Sequence, residues 1–164
     1  MTGFINRYIA TIVLFLSVLL SSFETTIVGK PISNYVNIQL ILIYVFKISN
    51  PGLNFGKGIF LFLISIINDV LNGLWFGTSG ILYFIVFGVA AFQASIKLRS
   101  LFISEWISFG LSLIFAYAVF FGLEILYNHN LQISQISINL LLTLMVYPIF
   151  WYVISRLFLK NAYR

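Results

Sequence analysis

The nine Lys and Arg residues of this 164-residue chain sit between long hydrophobic runs or at their ends, and one aspartate, Asp69, closes one of those runs. Charge distributed this way belongs to a chain whose main solvent is lipid. Apolar runs of about 20 residues have the length needed to cross a bilayer as helices. The expected fold is an all-α, polytopic bundle of about six transmembrane helices. With 61% hydrophobic and 8% charged residues and a mean hydropathy of +1.06, the chain is too poor in polar surface for a soluble domain.

The runs extend over Tyr8 to Val28, Tyr35 to Ile48, Phe55 to Leu71, Trp75 to Ile96, Leu101 to Tyr127 and Ile133 to Leu159. At about 20 residues per crossing they consume the chain and form one transmembrane domain over residues 1–164. The second run is short and bracketed by Pro31 and Pro51, which predicts a thin, little-tilted or partly interfacial segment. The first resembles a secretory signal in having Arg7 at its start, but no small-residue cleavage site ends it and further runs follow, so it is read as a retained helix. The absence of cysteine removes disulfides, thiol nucleophiles and thiolate metal sites.

Lys and Arg accumulate in cytoplasmic loops. With the N-terminus inside, Arg7, Lys47, Lys57, Lys97, Arg99, Arg156, Lys160 and Arg164 fall on the cytoplasmic side and only Lys30 falls outside, which also returns the C-terminus to the cytoplasm. Lys47, Lys57, Lys97 and Arg99 then read as basic inner loops that face anionic lipid head groups. The net charge of +5 is spread over these loops rather than gathered on a soluble face, so it is no nucleic-acid footprint.

The same orientation places Glu24, Asp69 and Glu124 toward the outer ends of helices and Glu105 at the inner face beside Lys97 and Arg99. Glu24, Glu105 and Glu124 read as interfacial charges. Asp69 is different, because a carboxylate at helix-centre depth costs on the order of 3 kcal/mol and is retained facing a bundle interior. Two placements are open to it: a buried polar anchor, or a cap at the outer face. Its neighbourhood is polar and small. Ser65, Asn68, Asp69 and Asn72 share adjoining faces at helical spacing, and Gly73, Gly77 and Gly80 allow a sharp turn and close helix approach. A second small-residue face at Ala90, Ala91, Ala94 and Ser95 suits packing against neighbouring or partner helices.

The segment Ser65-Ile-Ile-Asn-Asp69-Val-Leu-Asn-Gly73-Leu-Trp75-Phe-Gly77 resembles the G-L-L-x-D-x-L-x-G-x-P-L-G pattern of the MreD family, the rod shape-determining membrane proteins of bacteria. Val45-Phe-Lys47-Ile-Ser-Asn-Pro51 is similar to the aromatic, basic and proline ending of that family's second span. Lys97-Leu-Arg99, Phe102 and Glu105-Trp106-Ile-Ser-Phe109 follow in the same order as in proteobacterial members. Ser65 replaces the first glycine of the pattern and Trp75 stands at its proline, which bears on the turn and not on Asp69 or Gly77. The resemblance implies a non-enzymatic subunit of the inner-membrane cell-elongation machinery, acting with MreC, MreB, RodA and penicillin-binding synthases in peptidoglycan synthesis, with no cofactor.

The rest of the chain offers no competing chemistry. There is no His-x-x-His, no Ser-x-x-Lys and no Gly-rich phosphate loop, and the lone His129 lies between Asn128 and Asn130 as a solvated loop residue. The rival reading is the six-helix substrate-binding subunit of a vitamin uptake transporter. Such subunits dock their coupling partner through an Ala-x-x-x-Ala face on the first helix, where this chain has only Ala10. An intramembrane enzyme would need convergent reactive groups, and Glu24, Asp69 and Glu124 have no basic neighbour at their level beyond Lys30.

Overall fold

The computed structural model describes residues 2–22, 26–27, 30–31, 35–49, 55–95, 102–127, 133–154 and 156. They form six helices, α1 (Thr2–Ser22), α2 (Ile38–Ser49), α3 (Phe55–Asn72), α4 (Thr78–Ser95), α5 (Phe102–Tyr127) and α6 (Ile133–Ile154). Between α1 and α2, β1 (Thr26–Ile27) pairs antiparallel with β2 (Lys30–Pro31), Thr26 opposite Pro31 and Ile27 opposite Lys30. The first apolar run therefore does not stay helical to Val28. Its end is a β-branched cluster, Thr25 to Val28, which fits a pleated ribbon better than a helix.

Helices α3 and α4, most of α5 (Phe102–Leu126) and α6 are each long and apolar enough to cross a membrane. The apolar stretches described in α1 and α2, Ala10–Leu20 and Ile38–Lys47, are shorter. At 12 residues α2 rises only about 18 Å, against a hydrocarbon core of about 30 Å. It is nevertheless the centre of the molecule. Leu40, Ile41, Leu42, Ile43, Tyr44 and Val45 are all buried, and α2 packs against α1, α4 and α6. Around it α3 joins α1 to α4, and α5 joins α4 to α6. Of the settings expected for the second segment, its 12 residues fit a thin one, and its burial against α1, α4 and α6 sets it inside the bundle.

The surrounding helices turn large apolar side chains outward, among them Phe62 and Leu63 of α3, Ile114 and Phe115 of α5, and Met145 and Ile149 of α6. In water such a surface would be a liability; in lipid it is matched to its solvent.

Polar pairs fix the registers. At the start of α2, Asn37 Oδ1 accepts from Leu40 N (3.3 Å) as a helix cap, and Asn37 N donates to Thr143 Oγ1 of α6 (2.9 Å). Thr143 Oγ1 donates to Asn139 Oδ1 (3.2 Å), which also accepts from Tyr117 OH of α5. At the other end of the bundle Gln93 of α4 donates through Nε2 to Ser104 Oγ (3.2 Å) and accepts through Oε1 from Ser108 Oγ (3.1 Å) of α5. Such bonds between helices tie a membrane bundle together where lipid supplies no hydrophobic drive.

Several charged positions differ from their expected setting. Lys47 is not in a loop: it lies in the last turn of α2, 3% exposed, with its ammonium 4.9 Å from the Phe87 ring centroid. Lys57 likewise belongs to a helix, the first turn of α3, and is half-buried. Both are helical because α2 runs on to Ser49 and α3 starts at Phe55, which shortens the connection. Glu105 is 3% exposed rather than an open interfacial charge, because its carboxylate accepts from Trp151 Nε1 across the α5–α6 seam. Glu124 is half-buried in the last turns of α5. Glu24, Lys97, Arg99 and His129 lie outside the described residues.

Candidate functional site

The polar stretch after Ser65 becomes a clip between α3 and α4. Asp69, in the last turn of α3, is fully buried. Its Oδ2 accepts from Gly77 N (2.7 Å) and its Oδ1 from Ser79 N (3.0 Å), while its own carbonyl accepts from Leu74 N (2.9 Å). Since α4 starts at Thr78, the Gly77 and Ser79 amides belong to the set that the first turn of a helix leaves without intrahelical partners. The carboxylate pairs two of them and faces the positive end of the α4 dipole. Of the two placements open to Asp69 the buried one is seen, and the carboxylate also caps the helix after its own.

The chain must reverse to bring α4 under that carboxylate. Gly73 (φ 63°) and Gly77 (φ 93°) take the left-handed backbone this requires. Asn68 Nδ2 donates to Ser79 Oγ (2.8 Å), and Asn72 Nδ2 donates to Asn68 O (2.9 Å) and Asn68 Oδ1 (3.0 Å). The five predicted residues Asn68, Asp69, Asn72, Gly73 and Gly77 thus meet in one structure.

Ser79, which sequence reasoning did not single out, supplies both a main-chain donor and a hydroxyl to the clip. A Ser two residues beyond a turn glycine, at the head of an apolar run, was the available signal.

Gly80 also has a steric role, because a Cβ there would lie 3.0 Å from Ser65 Oγ, and Ser65 Oγ is held by the Phe62 carbonyl (2.7 Å). Gly80→Ala is expected to cost about 1–3 kcal/mol through overpacking, and Ser65→Gly in the same chain to recover most of it. Thermal unfolding of both variants in detergent checks this; equal losses with and without Ser65→Gly would place the cost elsewhere.

Chemically, a carboxylate sealed from solvent and held by main-chain donors is suited to fixing a turn. Among the described residues no group of three or more His, Cys, Asp or Glu is placed to hold a metal ion. Tyr83, one turn beyond Ser79 along α4, is buried, and its hydroxyl has no hydrogen-bond partner among the described residues.

The small-residue face of α4 turns inward: Ala90 is fully buried in the bundle's own core and Ala94 is half-buried. Ala90 therefore packs against helices of its own chain and is not available to a partner, since close approach of α4 to α2 and α5 already uses that face.

The chain matches no family model, no curated protein and no solved structure.

Proposed function

We propose that the chain is a six-span, non-enzymatic inner-membrane subunit of the bacterial cell-elongation machinery, a scaffold for MreC, MreB, RodA and penicillin-binding synthases. The observation that carries this reading is the pattern from Ser65 to Gly77, whose aspartate and glycines serve one clip between α3 and α4. Within this chain those residues act as one unit, and that supports the reading.

In this reading both termini are cytoplasmic. What supports it is the eight-to-one split of the basic residues; α2 begins beside Thr143, midway along α6, and Lys47 in its last turn lies over Phe87, midway along α4. Lys47, Lys57 and Glu105 share the cytoplasmic end, and Asp69 marks the outer one. We read Lys57, together with Lys97 and Arg99, which follow α4 in the sequence, as facing anionic lipid heads, each charge adding about 1 kcal/mol of attraction.

Depletion of the protein from a rod-shaped host is expected to give swollen or round cells with nutrient uptake intact. Cell width followed by microscopy during depletion is the measurement. Cells that kept normal width and lost growth only when a vitamin was limiting would overturn the shape role in favour of the vitamin-transporter subunit.

A further inference from the structure

The α5–α6 seam runs antiparallel, with Glu105 opposite Trp151, Gly110 opposite Leu144 and Tyr117 opposite Asn139. Within it α6 contains Pro148. Proline has no N–H, so the carbonyl four residues earlier, Leu144 O, loses its normal helical donor. In lipid a carbonyl deprived in this way must be paired by another route. Here the donor comes from the neighbouring helix: Trp106 Nε1 of α5 bonds Leu144 O at 3.1 Å.

Beyond the proline, Phe150 packs against the core and Ile154 is buried, and the polar tie is a second indole, Trp151, which donates to the Glu105 carboxylate and packs on Phe102 with ring centroids 4.8 Å apart. Phe102 also stacks on Trp106 (6.2 Å, 14°), so both indoles share one aromatic surface on α5. The intrahelical ladder is interrupted at Pro148, and the segment after it is secured to α5 largely by side chains.

We propose that α6 is hinged at Pro148 and that the Glu105–Trp151 bond is a latch which holds its C-terminal turn-and-a-half against α5. Trp106 positions the hinge by satisfying the carbonyl that the proline leaves open. Arg156, Lys160 and Arg164 follow this segment in the chain, so opening the latch would redirect the point from which the basic C-terminus is presented. The inference stands on the seam geometry alone and does not depend on a role in cell elongation.

The chain has no cysteine, so paired spin labels can be placed on the full-length protein in nanodiscs without background. One pair, at Ile107 (58% exposed) and Val153 (46% exposed), spans the latched segment; a second, at Ile114 (56%) and Leu141 (57%), lies on the other side of the hinge. The unaltered latch should give a single narrow distance distribution for both pairs. Trp151→Phe or Glu105→Leu should at least double the width for the Ile107–Val153 pair and leave the Ile114–Leu141 pair unchanged. Adding Pro148→Ala, which restores the N–H, should narrow the first distribution again. An unchanged width in both latch variants, equal broadening of both pairs, or no recovery with Pro148→Ala would each overturn the hinge-and-latch.

Discussion

Asp69→Leu is expected to unfold the α3–α4 turn and to lower stability more than replacement of any other acidic residue in the described chain. The side chain accepts from two main-chain amides, Gly77 N and Ser79 N, in a site with no exposure. Leucine pairs neither. Each buried donor left without an acceptor costs about 1–3 kcal/mol, which gives about 2–6 kcal/mol for the pair, before any strain from fitting a branched side chain against Ser79. Asp69→Asn separates the geometric role from the charge. Its amide oxygen can serve one of the two donors, but its NH2 then faces the other, a donor against a donor, so about half the loss, about 1–3 kcal/mol, should remain. A role in which only hydrogen-bond shape mattered and either oxygen sufficed would make Asp69→Asn silent. Unfolding midpoints in detergent, read beside protein level in cells, distinguish these outcomes: equal stability of Asp69→Asn and the unaltered protein would remove the two-oxygen cap, and equal damage by Asn and Leu would show that the charge facing the α4 dipole dominates.

The composition of the clip was legible from spacing because its members are close in sequence. Asn68, Asp69 and Asn72 lie within one helical turn, and the glycines that allow the reversal follow directly. What spacing could not settle was where Asp69 finds its donors, since the amides of Gly77 and Ser79 reach it only once the turn is built. The six helices were legible for a similar local reason, as each is an apolar run closed by polar or glycine-rich chain. The surroundings of α2 were not. Its brevity suggested a thin or partly interfacial segment, whereas its burial is set by α1, α4 and α6, which reach it from elsewhere in the chain. Glu105 and Lys47 were misplaced for the same reason. Their partners Trp151 and Phe87 stand 46 and 40 residues away, and nothing in the local pattern marks a long-range indole donor or a ring beneath an ammonium. Ala90 shows the limit of small-residue stripes: the stripe says that a helix approaches closely, and only the packing says whose helix it is.

Phe109→Ala is expected to be the most damaging core truncation, while Tyr147→Phe, in contact with it, is expected to be neutral or stabilising. Phe109 of α5, Tyr44 of α2 and Tyr147 of α6 form one aromatic triad with no exposure. Phe109 stacks on Tyr147 (4.4 Å, 21°) and meets Tyr44 edge-on (5.1 Å, 61°), and Tyr44 meets Tyr147 at 5.9 Å and 78°. It joins the central helix to two of the helices around it. In a soluble core such a truncation costs about 3–5 kcal/mol from lost transfer energy plus a cavity. In lipid the transfer part falls away because acyl chains are as apolar as the core, leaving the cavity and the aromatic contacts, about 2–4 kcal/mol. Tyr147→Phe keeps every ring contact and removes a buried hydroxyl that has no hydrogen-bond partner among the described residues. Deleting such a group relieves a desolvation cost, so stability should hold or rise by about 1 kcal/mol. Cell shape in a complemented depletion strain then gives the second reading, because a buried polar group left unpaired at a cost in stability calls for an explanation, and a working role is one. A Tyr147→Phe protein that is more stable and still supports rods would mark the hydroxyl as incidental, and one that is more stable but fails to support them would make the interior of the α2–α5–α6 triad a working site. Loss of stability on Tyr147→Phe would show that the hydroxyl is paired after all and would remove the premise.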